Sequence, residues 1–244
     1  MSETIAGINV PDSQMAKDLT ELIRDKEPDL LYHHSRRVYL FGALTGQRKG
    51  LVYDPELLYV GAMFHDIGLT EQYRNSMLRF EVDGANAARD FLRKYGVPES
   101  SVEMVWDAIA LHTTPGIPEH KKAVVALVTA GVEMDVLGIA YNEFKDQERF
   151  AVAAAHPRGN HFKDSIIDAF YHGMAHRPES TFGTVNDDVV ALKNPKFERA
   201  DFCKIILNSA LGCLRLRFVV GEPVSISRNA LAALLGWRSR WVST

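Results

Sequence analysis

The sequence predicts an all-α protein, built as a single helical bundle domain. Apolar residues recur at the three- and four-residue spacing of helices in most segments, and helix caps or Gly/Pro breakers bound those segments. No alternating apolar–polar run typical of half-buried strands is found along the chain, and there are no internal repeats. With 244 residues, 46% of them hydrophobic, the chain is long enough to bury a substantial core.

Five helices are predicted in the first half of the chain. The clearest start is at Asp54 and Pro55, since Asp is a favoured N-cap and proline is favoured in the first turn. That helix runs through "YVGAMFHDIGLT", and we expect Gly68 to end it. The other four segments are amphipathic and cover residues 12–26, 31–48, 81–96 and 99–113.

The second half of the chain continues in the same way. The stretch "HKKAVVALVTAGVEMDVLG" is rich in valine, but its length favours a buried helix over a strand. Two further helices are predicted over residues 162–176 and 199–211, and loops over residues 142–160 and 178–195.

Composition excludes several classes of protein. A net charge of -3 and a pI of about 6.3 argue against a chain-wide basic surface for nucleic acid. No apolar run approaches the roughly 18 residues of a membrane span, and the N-terminus lacks the layout of a secretory signal. Cys203 and Cys213 do not form a disulfide framework, which favours a reducing compartment. We therefore expect a cytoplasmic protein with no nucleic-acid partner, and homo-oligomerisation is left open.

The last segment, residues 214–244, differs in character from the rest of the chain. It carries five arginines and two of the three tryptophans. Three interpretations remain open: a terminal amphipathic helix, a helix that binds a partner or a membrane surface, and a reading-frame artefact outside the fold.

Polar residues interrupt three of the apolar helices. His34 lies in the second helix, His65 and Asp66 in the third, and Asp135 in the long valine-rich helix. A buried carboxylate must be paired or bound to metal, and helices of a bundle can bring such side chains to one point in the core. Two imidazoles and two carboxylates suit a borderline divalent ion such as zinc, iron, manganese or nickel.

This "H…HD…D" order resembles the HD superfamily of metal-dependent hydrolases, and His34, His65, Asp66 and Asp135 match its four motif positions. The resemblance covers residues 31–138 and continues more loosely to about residue 208. It implies an HD-type helical bundle over residues 1–213 and a bound divalent metal ion, with zinc favoured. Residues 214–244 depart from the resemblance and are expected to form a C-terminal helical extension. One ion is favoured over two, because only His112 and His120 lie between the His-Asp pair and the last Asp.

Within the superfamily, "HHSRRVYLFG", "RFEVDGANAARDFL" and "IALHTTPG" resemble the cyanamide hydratase branch. The resemblance implies that Glu81, His112 and Lys163 lie near the metal pocket, Glu81 and Lys163 as substrate-binding residues. Purely structural roles are the alternatives. Glu81 begins a helix and His112 ends one, where each complements the helix dipole, and Lys163 lies in a polar stretch leading into a helix.

The predicted reaction is the addition of metal-activated water to a small nitrile-type substrate, with cyanamide to urea as the type reaction. Asp66 would ligate the ion and act as general base, and His112 would donate a proton. The alternative is hydrolysis of a nucleotide or another phosphate ester, which needs cationic side chains around the site. A third hypothesis is a catalytically idle scaffold or regulatory module.

Overall fold

The structure, a computed structural model, describes residues 3–209, and these residues confirm the all-α class. The described residues divide into two units, with the boundary between Pro195 and Lys196. The first unit begins with a short antiparallel hairpin and continues with nine α-helices. These elements are β1 (Thr4–Ile5), β2 (Ile8–Asn9), α1 (Gln14–Lys26), α2 (Asp29–Arg48), α3 (Pro55–Phe64), α4 (Phe80–Lys94), α5 (Glu99–Ala110), α6 (Ala123–Val132), α7 (Asp146–Ala155), α8 (Phe162–Met174) and α9 (Asn186–Lys193).

The described part of the second unit contains one short helix, α10 (Phe202–Leu207), where a longer helix was predicted. Its cysteine, Cys203, is exposed and free. Cys213 and the predicted extension over residues 214–244 lie outside the described residues. None of the helices within residues 3–209 is both long and apolar enough to cross a membrane.

The helix starts follow the local capping chemistry of the sequence. The Ser13 side chain accepts a hydrogen bond from the backbone N–H of Ala16 at the start of α1. The Asp54 side chain accepts hydrogen bonds from two backbone N–H groups in the first turn of α3, where Pro55 has no N–H that needs an acceptor. The starts of both helices were predicted from the sequence, because a capping side chain bonds to backbone N–H groups only two or three residues later.

Helices α2 and α6 approach each other closely, and glycine allows it. A Cβ added to Gly42 on α2 would lie 2.6 Å from the carbonyl oxygen of Leu127 on α6. A Cβ added to Gly131 on α6 would collide with the carbonyl oxygen of Val38 on α2. The two glycines therefore let the backbones pack directly, which brings His34 on α2 towards the residues that follow α6.

The third helix ends earlier than predicted. α3 stops at Phe64, and a short 3-10 turn over Ile67–Leu69 follows the His-Asp pair. Gly68 does not cap α3. It lies so close to the carbonyl oxygen of Phe80 that an added Cβ would collide with it. His65 and Asp66 thus lie at the end of a helix, where the chain turns towards α4.

Two regions predicted as loops contain helices. α7 lies within residues 142–160, and its first turn is closed by the Glu148 carboxylate, which accepts a hydrogen bond from the backbone N–H of Lys145. α9 lies within residues 178–195 and has Asp187 and Asp188 in its first turn, where carboxylates favour the helix dipole. Both helices are short, and each buries a single apolar residue, Val152 in α7 and Val190 in α9, so apolar periodicity did not reveal them. The hairpin was also missed, because its strands have two residues each.

Candidate metal centre

Four polar side chains meet in the core of the first unit. His34 comes from α2, His65 and Asp66 follow α3 directly, and His112 lies in the turn after α5. All four side chains are 0% exposed. Within the described residues, His34, His65 and Asp66 form the one group whose ligand atoms all lie within 4.8 Å of one another. The structure therefore brings together three of the four ligands predicted from the sequence.

Each of the three histidines is anchored through its Nδ1 atom. Nδ1 of His34 lies 2.7 Å from Oδ2 of Asp135, Nδ1 of His65 lies 2.7 Å from the carbonyl oxygen of Ala62, and Nδ1 of His112 lies 2.6 Å from that of Ile109. All three partners are acceptors, so each Nδ1 donates its hydrogen. A neutral imidazole carries one N–H, and hence each Nε2 presents a lone pair. Burial lowers the pKa of His34, which favours its neutral form although Asp135 opposes the shift.

The three Nε2 atoms are directed towards Asp66. Nε2 of His34 lies 3.2 Å from Nε2 of His65, which is itself 3.2 Å from Oδ2 of Asp66. Nε2 of His34 and Nε2 of His112 each lie 3.6 Å from an oxygen of Asp66. In residues 3–209 neither oxygen of Asp66, nor Nε2 of His112, has a hydrogen-bond partner. The Nε2 lone pairs of the three histidines and the carboxylate of Asp66 therefore face one another, and no described residue donates a hydrogen bond between them.

This arrangement fits a bound cation. The Asp66 carboxylate is buried, and no described residue donates a hydrogen bond to either of its oxygens. A buried charge of this kind needs a counter-charge. Two imidazole nitrogens bound to one zinc ion at about 2.0–2.1 Å lie roughly 3.3 Å apart, close to the separation of the two Nε2 atoms of His34 and His65. The residues present therefore suit a divalent metal ion.

Residues 31–162, more than half of the chain, match the HD domain. The chain belongs to the HD domain family. HD domains are in general metal-dependent hydrolases that bind divalent metal ions, in agreement with the His/Asp cluster. The match is to the HD domain as a whole and does not distinguish branches of the family. The comparison with curated proteins found no match.

The fourth predicted HD ligand, Asp135, lies outside the three-residue group. Its carboxylate contacts the Nδ1 side of His34, whereas the cluster lies on the Nε2 side. Its two oxygens also accept hydrogen bonds from Arg37, at 2.8 Å from Nε and 2.9 Å from Nη2. Burial raises the pKa of Asp135, but His34 and Arg37 lower it well below its usual value. Metal ligation by Asp135 stays a prediction from the sequence motif.

The two predicted substrate residues differ in position. Glu81 is buried at the start of α4 and contacts the turn that follows α5, since its Oε1 accepts a hydrogen bond from the hydroxyl of Thr113, the neighbour of His112. Arg79 and Asn186 also donate to Oε1, each at 2.9 Å. Burial raises the pKa of Glu81, but Arg79, His112 and Thr113 lower it. Lys163 is exposed on α8, outside the three-residue group.

The sequence analysis did not predict the contacts of the buried arginines near the cluster. Arg37 is buried and pairs with Asp135. Arg177, at the end of α8, was not singled out. It is fully buried and donates to Asp83 and to the carbonyl oxygens of Gly68 and Leu78, which holds the segment between Asp66 and α4 in place. An arginine next to a helix end gives no local signal of such contacts.

Proposed function

We propose that this HD-domain protein uses one divalent metal ion, zinc, to add water to a small neutral nitrile-type substrate, with cyanamide to urea as the type reaction. The observation that carries the proposal is that three arginines around the cluster are already paired with buried carboxylates. Arg37 pairs with Asp135, Arg79 with Glu81, and Arg177 with Asp83. Hydrolysis of a phosphate ester needs cationic side chains that are free to bind the phosphate. Because these arginines are already paired, the arrangement favours an uncharged substrate.

The surroundings of the cluster also favour a small and largely apolar substrate. The ring of Phe80 contacts that of His112 edge-on, with centroids 5.6 Å apart, and Phe170 packs on Phe80. The ring of Phe162 lies 6.2 Å from that of His34. Aromatic walls with a few fixed polar groups are typical of sites for small molecules.

A divalent ion bound by His34, His65 and Asp66 would lower the pKa of a water ligand towards about 7, from 15.7 in bulk water. Asp66 has two oxygens without a described partner, so one can hold the ion while the other accepts a proton from the attacking water. Asp66 thereby combines the roles of ligand and general base.

His112 is placed to move a proton at the substrate. Its Nδ1 is anchored on the carbonyl oxygen of Ile109, so only Nε2 exchanges protons, and this atom lies 3.6 Å from Oδ1 of Asp66. In nitrile hydration the nitrogen of the C≡N group gains negative charge as oxygen adds to the carbon. A proton passed from Asp66 through Nε2 of His112 to that nitrogen would complete the addition with no leaving group, and the isourea formed from cyanamide would tautomerise to urea.

Phosphate-ester hydrolysis is the second candidate, and Arg158 is the observation that favours it. Its side chain is 40% exposed, and its Nη2 lies 3.9 Å from Oδ1 of Asp135. A cation this close to the centre could turn towards an anionic substrate. Lys163, five residues later, is a proposed companion at the rim of the pocket.

The experiment is an assay of purified protein of known metal content, with cyanamide and a panel of nucleoside monophosphates run side by side. Urea from cyanamide, absent in Asp66→Ala and present in the exposed α4 control Asp90→Ala, would support hydration. Inorganic phosphate released from the panel, with no urea, would place the protein among the phosphohydrolases instead.

A further inference from the structure

We propose that Arg177 is a positioning residue for the metal centre. It closes the loop of residues 69–77, which connects the His-Asp pair to α4, and thereby fixes the backbone turn that presents Asp66. The inference rests on the metal ion of the proposed function, but it does not depend on which substrate is used.

One guanidinium group holds both ends of this loop. Nη2 of Arg177 donates to the carbonyl oxygen of Gly68 at 2.6 Å, and Nη1 donates to that of Leu78 at 2.7 Å. Nη1 also donates to the carboxylate of Asp83 on α4, and the Arg177 side chain is 0% exposed. Because the donors of a guanidinium are held rigidly in one plane, they fix the two carbonyl groups relative to each other, as the single ammonium group of lysine could not.

The turn that follows Asp66 lies in close contact with both α4 and α8. A Cβ added to Gly68 would collide with the carbonyl oxygen of Phe80, and a Cβ added to Gly173 on α8 would lie 2.8 Å from Cα of Leu69. The turn itself is closed by the backbone N–H of Leu69, which donates to the carbonyl oxygen of Asp66 at 2.9 Å. Because the turn is tightly packed, we expect a displacement of the Gly68 carbonyl to move the Asp66 carboxylate, two residues earlier.

Polar contacts of the second half of the loop converge on the same place. The Ser76 hydroxyl donates to Oδ1 of Asp83 at 2.8 Å, and Oδ2 of that carboxylate accepts from Arg177. Nε2 of His176, the neighbour of Arg177, lies 3.1 Å from the carbonyl oxygen of Ser76. None of residues 71–79 is buried, so few packing contacts could replace these hydrogen bonds.

Arg177 also connects the loop to the aromatic wall of the site. Its Nε donates to the carbonyl oxygen of Gly173 on α8 at 3.1 Å. The same helix carries Phe170, which packs on Phe80 beside the ring of His112. Removal of the guanidinium would therefore release the Asp66 turn, the start of α4 and the end of α8 together.

The test is the zinc affinity of variants, measured by chelator competition at a temperature at which circular dichroism shows each protein to be folded. Arg177→Lys keeps a positive charge beside Asp83 but lacks the planar set of donors. We expect it to weaken zinc binding about 10- to 100-fold, the usual loss when an outer contact of a metal site is removed. Leu19→Ala is the matched control for lost stability. It opens a cavity under α1, which carries none of the cluster residues, and should leave the zinc affinity unchanged.

The double variant Arg177→Met/Asp83→Asn separates positioning from a general loss of stability. It removes both charges of the buried pair, so part of the stability lost in Arg177→Met should return. The carbonyl groups of Gly68 and Leu78 still lack their donor, so we expect the zinc affinity to stay low. Zinc affinity that returns with the stability, wild-type affinity in Arg177→Lys, or an equal loss of affinity in Leu19→Ala would each overturn the inference.

Limited digestion with trypsin reports on the loop directly, because Arg74 is exposed within it. If the loop and the metal centre are coupled through Arg177, zinc must also stabilise the loop, since such coupling is reciprocal. Zinc should therefore slow cleavage after Arg74 in wild type and have little effect in Arg177→Lys. Cleavage of wild type at the same rate with and without zinc would contradict the coupling. If wild-type protein binds no zinc, the proposed function fails as well. If it binds zinc but yields no urea, only the proposed substrate is wrong.

Discussion

The Nε2 atoms of His34 and His65 lie 3.2 Å apart, although both rings donate their single hydrogen from Nδ1. Two lone pairs at this distance repel each other unless a cation lies between them. Oδ2 of Asp66 lies 3.2 Å from Nε2 of His65, and no described residue donates a hydrogen bond to Asp66. This carboxylate supplies the negative charge that such a cation needs. The centre is therefore preorganised for a positive ion by contacts that lie behind each ring.

Asp66→Asn should abolish metal binding while the fold persists. The substitution keeps the shape of the side chain but removes the charge that balances the ion, so we expect metal affinity to fall by more than about 100-fold, beyond the loss typical of outer contacts. Elemental analysis after dialysis measures the metal, and circular dichroism measures the fold. The control is Asp90→Asn on the exposed side of α4. Full metal occupancy in Asp66→Asn would refute the assignment of Asp66 as a ligand.

His112→Phe should separate catalysis from metal binding. Phenylalanine keeps an aromatic ring against Phe80 but has no Nε2 to exchange a proton. We expect the metal content to remain and kcat to fall about 10²- to 10⁴-fold, the usual contribution of a general acid or base. His120→Phe, at an exposed position, is the control. Loss of the metal together with activity would instead make His112 a ligand.

Arg177→Met should destabilise the fold strongly. Arg177 pairs with Asp83 inside the protein, and its removal leaves a buried carboxylate with Ser76 as its remaining side-chain donor among the described contacts. Breaking one partner of such a pair costs about 3–5 kcal/mol of unfolding free energy. Urea denaturation measures the change. The double variant Arg177→Met/Asp83→Asn should recover part of the loss, and a double variant no more stable than the single one would argue against the pairing as its cause.

The stability of the metal-free protein should fall as the pH drops from about 6.5 to 4.5, through the usual histidine range. Burial and the nearby Arg36, His33 and Arg37 lower the pKa of His156 to about 3. Between pH 6.5 and 4.5, His156 binds a proton in the unfolded chain but not in the folded protein. A lower pH therefore favours unfolding. Carboxylates whose pKa values are lowered in the folded protein also contribute to its stability, but this contribution is lost only below this pH window.

His156→Gln isolates this contribution to the pH dependence. The variant should show a flatter dependence of the unfolding free energy between pH 6.5 and 4.5, measured by urea denaturation of metal-free protein. His161→Gln, an exposed histidine close by, should leave the wild-type slope unchanged. An identical slope in wild type and His156→Gln would show that folding does not lower the pKa of His156.

Sequence reasoning worked best where the signal was local. Caps such as Asp54 and the periodicity of α2 predicted helices, because both depend on residues within one or two turns. It failed for α7 and α9, which are short and bury one apolar residue each, and for the end of α3, where the close approach of Gly68 to Phe80 decides the turn. Those features depend on contacts with distant parts of the chain.

The sequence by itself determined the helical class and the residues of the cluster, since polar side chains at fixed positions in apolar helices are visible without coordinates. Only the tertiary structure decided which nitrogen of each histidine ring is free and which carboxylate is already paired. Arg37 and Asp135 are separated by 98 residues, and His34 and Asp135 by 101. Hydrogen-bond partners at such separations are selected by helix packing, as at the glycine contacts between α2 and α6, and local sequence patterns carry no record of that packing.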